Sequence, residues 1–273
     1  MKGPIGVFDS GFGGLTILRE FIEKMTDYDF VYIGDNARAP YGNRSFEAIY
    51  SYTRESVLRL FEMGSPLVIL ACNTASARAL RNIQQIDLPK IGGTKRVLGV
   101  IRPTAEMIGS VTKTRHIGVF ATPGTVISNS YPVEINKIFP DICVAQQACP
   151  MLVPLAENDE ISNTGCDYFV KKYVDELLSK DSLIDAVLLG CTHYPVMIES
   201  FRKFIPENIK IVQQDSIVAA SLKDYLSRHG EIDEKCSKNS AVRFFTTDSI
   251  DNFSSRGRIF LGKEFSAEKI IIS

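Results

Sequence analysis

Two cysteines occupy matched settings in this chain. Cys72 ends the apolar run of VILACNTAS at 68–76, Cys191 ends that of VLLGCTHYP at 187–195, and polar residues follow each of them. A third run, IGVFDSG, delivers Asp9 and Ser10 into a glycine-rich turn. A thiol titrates near pH 8.5, and lower beside a cation or a helix N-terminus, so a cysteine is a workable acid or base near neutral pH. A matched pair suits one task in particular. Inverting a stereocentre by proton transfer needs one group to take a proton from one face of a carbon and another to deliver a proton to the opposite face. Asp9 and His193 are natural neighbours to tune or relay protons for the two thiols. A single buried cysteine is usually just packed, and the pairing is what lifts these two above that reading. Asn73, Thr74 and Thr192 suit helix caps, a role compatible with holding a carboxylate at a helix N-terminus. His116 and His229 are assigned to structural roles.

Short Val-, Ile- and Phe-rich runs alternate with segments of helical period, the pattern of parallel sheets with crossover helices. Strands are predicted at 5–8, 30–33, 67–70, 97–101, 116–120, 186–189, 209–212, 242–245 and 258–261. Helix faces are predicted from the spacing of Phe46 to Phe61 and of Phe169 to Leu178, and a further helix at 217–226, with Gly230 as its stop. In such sheets ligands bind beyond the carboxyl ends of strands, where Asp9, Cys72 and Cys191 all stand.

The chain also echoes itself. IGVFDSGFGGL at 5–15 is mirrored by IGVFATPGTVI at 117–127, and VILACNTAS by VLLGCTHYP, at offsets of 112 and 119 residues. Two echoes in one order predict two similar α/β halves, which a pseudo-twofold arrangement would allow to face each other across a cleft. PKIGGTK marks the boundary, which divides the chain into a first domain at 1–96 plus 213–273 and a second at 97–212.

Composition narrows the function classes. With 273 residues, 45% hydrophobic and 23% charged, the chain is long enough for two globular domains and unlike a disordered one. Lys and Arg total 31 against 32 acidic residues, so no overall charge draws it to nucleic acid or an anionic membrane. No spanning apolar run or signal-peptide core is read, so a cytoplasmic protein is expected. Six scattered cysteines without a CxxC pair predict reduced thiols and no metal site. The turn Gly11-Phe12-Gly13-Gly14 is a weak dinucleotide signal: Thr16 stands where the fingerprint needs glycine or alanine, and Asp9 would repel a pyrophosphate. The polar loop DNARAPYGNRS at 35–45 fits a surface hairpin or a ligand-contacting loop, in which Tyr41 and Gly42 can offer backbone N–H groups and Pro40 cannot.

Together, GVFDSGFGGL, YIGDNARAPYG, ACNTAS, ACPMLVPLAE and GCTHYP, in this order across almost the whole chain, closely resemble the glutamate racemases. The resemblance implies two α/β domains with the active site between them, cofactor-independent interconversion of L- and D-glutamate, and a supply of D-glutamate for peptidoglycan synthesis. It implies Cys72 as the thiol on the D-glutamate side and Cys191 on the L-glutamate side, Asp9 and His193 as their assistants, and Glu157 as a further acidic helper. Ser10, Tyr41, Gly42, Asn73, Thr74 and Thr192 match substrate contacts, with Asp9 and His193 also at the substrate. The implied partner is a small-molecule substrate, with no nucleic acid and no membrane, and a homodimer is the expected assembly. Arg102 departs from the family's form, standing where many relatives carry an acidic residue. The weighed rivals are an aspartate or hydantoin racemase, which shares the paired cysteines, and a non-catalytic amino-acid-binding or partner-regulating protein on the same cleft.

Overall fold

The computed structural model describes residues 2–272. Two all-parallel sheets organise it. The first holds β1 (Ile5–Asp9), β2 (Phe30–Gly34), β3 (Leu67–Leu70), β4 (Arg96–Gly99), β9 (Val242–Thr246) and β10 (Glu268–Lys269) in the order β10-β9-β2-β1-β3-β4. The second holds β5 (His116–Ala121), β6 (Cys143–Ala148), β7 (Ala186–Leu189) and β8 (Lys210–Val212) in the order β6-β5-β7-β8. The two orders superpose: β2-β1-β3-β4 corresponds to β6-β5-β7-β8, so the echoed strings occupy equivalent adjacent interior strands, β1 and β3 of the first sheet and β5 and β7 of the second. Every residue of β1, β2, β3 and β7 is buried, as expected for strands covered on both faces by crossover helices.

In the first half, α1 (Gly14–Lys24) and α2 (Phe46–Glu62) cross between strands. Ser45 caps α2, its hydroxyl accepting the Ala48 N–H at 3.2 Å. After β3 come α3 (Asn73–Arg78), α4 (Leu80–Asn82), a π-turn at Ile83–Asp87 and α5 (Leu88–Ile91). The chain crosses to the second sheet through α6 (Ile101–Ile108). There follow α7 (Pro123–Ser128), α8 (Ser130–Ile138), α9 (Leu152–Glu157), α10 (Thr164–Leu178) and α11 (Ile198–Phe204). It returns through α12 (Asp215–Arg228), which packs on α1, then α13 (Gly230–Asp233) and α14 (Ile250–Leu261).

Four local expectations are corrected. The run at 258–261 is the end of α14: Phe253, Gly257, Phe260 and Leu261 share its buried face, a helical spacing that a short apolar run conceals. The strand expected at 97–101 is β4 at Arg96–Gly99, and Ile101 already begins α6. Helix α12 ends at Arg228 with His229 as its C-cap, and Gly230 opens α13 instead of stopping its predecessor. Strands β6 and β10 were not predicted: both lie at sheet edges, and β6 carries Gln146 and Gln147 instead of a continuous apolar run.

Candidate functional site

The carboxyl ends of β1, β3, β5 and β7 converge on one small cavity between the two sheets. Its walls include Ser10, Tyr41, Gly42, Cys72, Asn73, Thr74, Cys191, Thr192 and His193. Nine of the sequence-predicted residues are therefore brought together, and the two thiols come from equivalent places in the two halves. Asp9 and Glu157 stand just behind this lining. The loop at 35–45 is built of two 3-10 turns rather than a hairpin, and Pro40 to Asn43 line the cavity. Its shape is fixed from beneath by Asp35, fully buried, whose carboxylate accepts from the Tyr41 hydroxyl, from Arg38 Nε at 2.6 Å and from Thr247 Oγ1 at 2.9 Å.

The surroundings of the two sulfurs differ. On the first side, Cys72 itself caps α3: its Sγ accepts the Ala75 N–H at 3.5 Å and lies 3.5 Å from Ser10 Oγ. Asn73 and Thr74 belong to the helix rather than to its cap. Burial, reinforced by the negative field of Asp9, pushes the Cys72 thiol up to about 12. Asp9 is fully buried. Its Oδ1 accepts the Gly11 N–H at 2.8 Å and its Oδ2 has no partner; burial raises its carboxyl above the usual range, outweighing the attraction of His193.

On the second side, Cys191 Sγ lies 3.8 Å from His193 Nδ1, and His193 Nε2 lies 3.1 Å from Glu157 Oε1. Burial alone would favour neutral imidazole. The sulfur and the carboxylate override it and hold His193 well above its ordinary value, which favours the cationic form of the ring beside the Cys191 sulfur. Glu157 thus contacts the histidine and not a thiol. Arg256 of α14 donates from Nη1 to the Glu157 carbonyl at 2.5 Å, tying the end of α9 to the opposite half. His193 also meets Phe260 edge-on at 5.3 Å between ring centroids.

Gly13 has a steric reason. A Cβ there would strike His193 Nδ1 and Thr192 Oγ1, so the turn after β1 must be bare for the two halves to meet. His116 and His229 lie away from the cavity, against Asp181 and Glu231 respectively. Arg102 is outside it too. It pairs with Glu106 at 2.7 Å and Glu134 at 3.4 Å beside a second, larger cavity of about 700 Å³ near the chain crossing.

Several contributors escaped the sequence reading. Thr122 lines the cavity with its Oγ1 2.9 Å from Thr74 Oγ1. It occupies in IGVFAT the place of Ser10 in IGVFDS, so the echo held the signal. Cys149 is a third thiol on the lining, buried and with its pKa pushed well up by burial. All six cysteines are free. Among the described residues no cluster of His, Cys, Asp and Glu is arranged to hold a metal, and no helix is long and apolar enough to cross a membrane.

Comparison with known proteins agrees with this geometry. The sequence profile described as Asp/Glu/Hydantoin racemase matches residues 15–219. The chain belongs to that racemase family. This racemase is 41% identical to the glutamate racemase of Roseobacter denitrificans, over 96% of this chain and 99% of that one. It superposes on the crystal structure of a glutamate racemase isoform from Bacillus anthracis with a TM-score of 0.89 and 34% identity, covering 99% of this chain and 98% of that one. The glutamate racemase of Francisella tularensis, solved with D-glutamate, matches with a TM-score of 0.87 and 32% identity over 100% and 98% of the two chains. The protein is an amino-acid racemase with the two-sheet α/β fold expected from its sequence.

Proposed function

We propose that this racemase interconverts L- and D-glutamate by moving the α-proton between Cys72 and Cys191, without a cofactor. The observation that carries the reading is the placement of two cysteines at equivalent strand ends, β3 and β7, on the walls of one cavity. The hydroxyls of Ser10, Thr74, Thr122 and Thr192, the Asn73 amide and the backbone N–H groups of Tyr41 and Gly42 supply donors for two carboxylates. Glutamate as the substrate is supported by the full-length relatives named glutamate racemases and by the D-glutamate complex among them.

The surroundings of the thiols assign their starting roles. Cys72, pushed up to about 12, holds its proton at neutral pH and is the acid. Cys191, facing a histidine that favours its cationic form, is the sulfur positioned to act as the base. Cys191 takes the proton from one face of the α-carbon as a thiolate and becomes a thiol; Cys72 gives its proton to the opposite face and becomes the thiolate. This form suits L-glutamate, and the product form suits D-glutamate. The carbanion between these steps has no electron sink, so aimed donors and exclusion of water must stabilise it. The cavity volume, about 30 Å³, is well below the ~150 Å³ of one known to take up benzene. The halves therefore part to admit the amino acid and close for chemistry.

Circular dichroism of L-glutamate and L-aspartate with enzyme treated with a chelator and a carbonyl reagent tests the reading. Loss of optical activity from glutamate and little from aspartate is expected. Preference for aspartate, or binding of D-glutamate with no turnover, would overturn it. The reading extends to a cytoplasmic homodimer supplying D-glutamate for peptidoglycan. Sedimentation equilibrium tests the assembly, and a D-glutamate requirement on gene loss tests the supply.

A further inference from the structure

Behind the cavity wall, Asn73 is held by a closed ring of buried side chains. The Tyr131 hydroxyl, on α8, donates to Asn73 Oδ1 at 2.6 Å. Asn73 Nδ2 donates to Gln214 Oε1 at 2.8 Å, and Gln214 Nε2 donates to the Tyr131 oxygen at 2.5 Å and to Thr104 Oγ1 at 2.9 Å. Thr104 in turn donates to the Val100 carbonyl at 2.9 Å. That carbonyl can only accept, so it sets the sense of the chain: Thr104 accepts from the Gln214 nitrogen, the Gln214 oxygen faces Asn73, and the Asn73 oxygen faces Tyr131. Asn73 Nδ2 keeps a single uncommitted N–H. For a ligand that presents carboxylates, that N–H is the useful group left on the amide.

The ring also has a position in the fold. Thr104 lies on α6, the outward crossing between the sheets, and Gln214 lies between β8 and α12, the return crossing. Asn73 belongs to the first half and Tyr131 to the second. The ring thus ties both crossings and both halves together, and anchors the cavity-lining Asn73 amide among them.

We propose that Tyr131 and Gln214 are positioning residues, which hold the Asn73 amide with its free N–H toward a substrate carboxylate. The inference rests on the reading of the cavity as an amino-acid racemase site. Removing the Tyr131 hydroxyl frees Asn73 Oδ1 and lets the amide turn, which weakens a charge-assisted hydrogen bond made to substrate and transition state alike. Because enantiomers have equal energy, kcat/KM is equal in the two directions in any variant, so the loss must appear with both substrates.

The test is steady-state kinetics of Tyr131→Phe with L- and D-glutamate, alongside Thr53→Val. Thr53 is a buried hydroxyl on α2 that donates to the Ile49 carbonyl, away from the cavity, and its variant reports the effect of lost stability alone. Tyr131→Phe is expected to raise KM for both enantiomers about tenfold or more, with kcat within about threefold of wild type. Thr53→Val should lower Tm without changing KM. Wild-type KM in folded Tyr131→Phe overturns the inference. If that variant does not fold, Gln214→Glu, of the same size but without the Nε2 donors, carries the same expectation and the same refutation. Wild-type enzyme inactive on glutamate would instead overturn the functional reading itself.

Discussion

Asp9→Asn is expected to make this protein more stable and much less active. Asp9 is completely buried and one of its oxygens has no hydrogen-bond partner, while burial holds its carboxyl above the usual value near 4. The folded protein therefore binds a proton more tightly at this position than the unfolded chain does. Stability contributed by the protonated carboxyl is fully present below about pH 4, and it is lost as the pH climbs through the raised value in the fold. Asparagine keeps an oxygen for the Gly11 N–H and removes the charge. A buried and incompletely paired carboxylate costs roughly 2 kcal/mol, which for a chain of this length is a Tm gain of about 4 to 8 °C at pH 8. The gain should shrink as the pH falls toward 4, where the unfolded chain also begins to take up the proton. Turnover should fall about a hundredfold or more, because the charge beside Cys72 is lost from the proton path. Calorimetry from pH 4 to 8 with polarimetry on the same samples measures both. A lower Tm at pH 8, or unchanged turnover, would refute the reasoning.

Cys72→Ser and Cys191→Ser should each reduce racemisation about a thousandfold or more, since a hydroxyl is a far weaker acid than a thiol; wild-type rates in either variant would remove that thiol from the reaction. Gly13→Ala should cost most of the activity, because the added methyl displaces His193 and Thr192, and its crystal structure should show the histidine moved away from Cys191. Arg256→Met should lower kcat several-fold and weaken the dependence of rate on the His193 titration, since the end of α9 carrying Glu157 loses its tie to α14; an unchanged pH–rate profile would count against that coupling.

The sequence was most legible where physics acts locally. Strands β1, β2, β3 and β7 bury both faces and so read as continuous apolar runs, and the repeated strings marked the equivalence of the two sheets. The residues after those strands were legible for the same reason, since parallel sheets send their strand ends to one side. The exposed edges were not: Glu268 and Lys269 of β10 carry no apolar signal at all. Nor were the supports of the site. Gln214 and Tyr131 stand 141 and 58 residues from Asn73, and Arg256 stands 99 residues from Glu157, so only folding reveals these partnerships. Glu157 was named only through family resemblance, and its attachment to His193 was visible only in three dimensions.

The claim at the centre of this account is that two sulfurs serve opposite faces of one carbon. Its most direct measurement is L-glutamate turned over in heavy water, stopped at a few per cent conversion, with deuterium at the α-carbon read separately in each enantiomer. Separate groups removing and delivering the proton predict D-glutamate that carries solvent deuterium, while the recovered L-glutamate keeps its original hydrogen. Deuterium appearing equally in both enantiomers from the start, or original hydrogen carried over into the product, would mean that one group works both faces, and the assignment of Cys72 and Cys191 would be wrong.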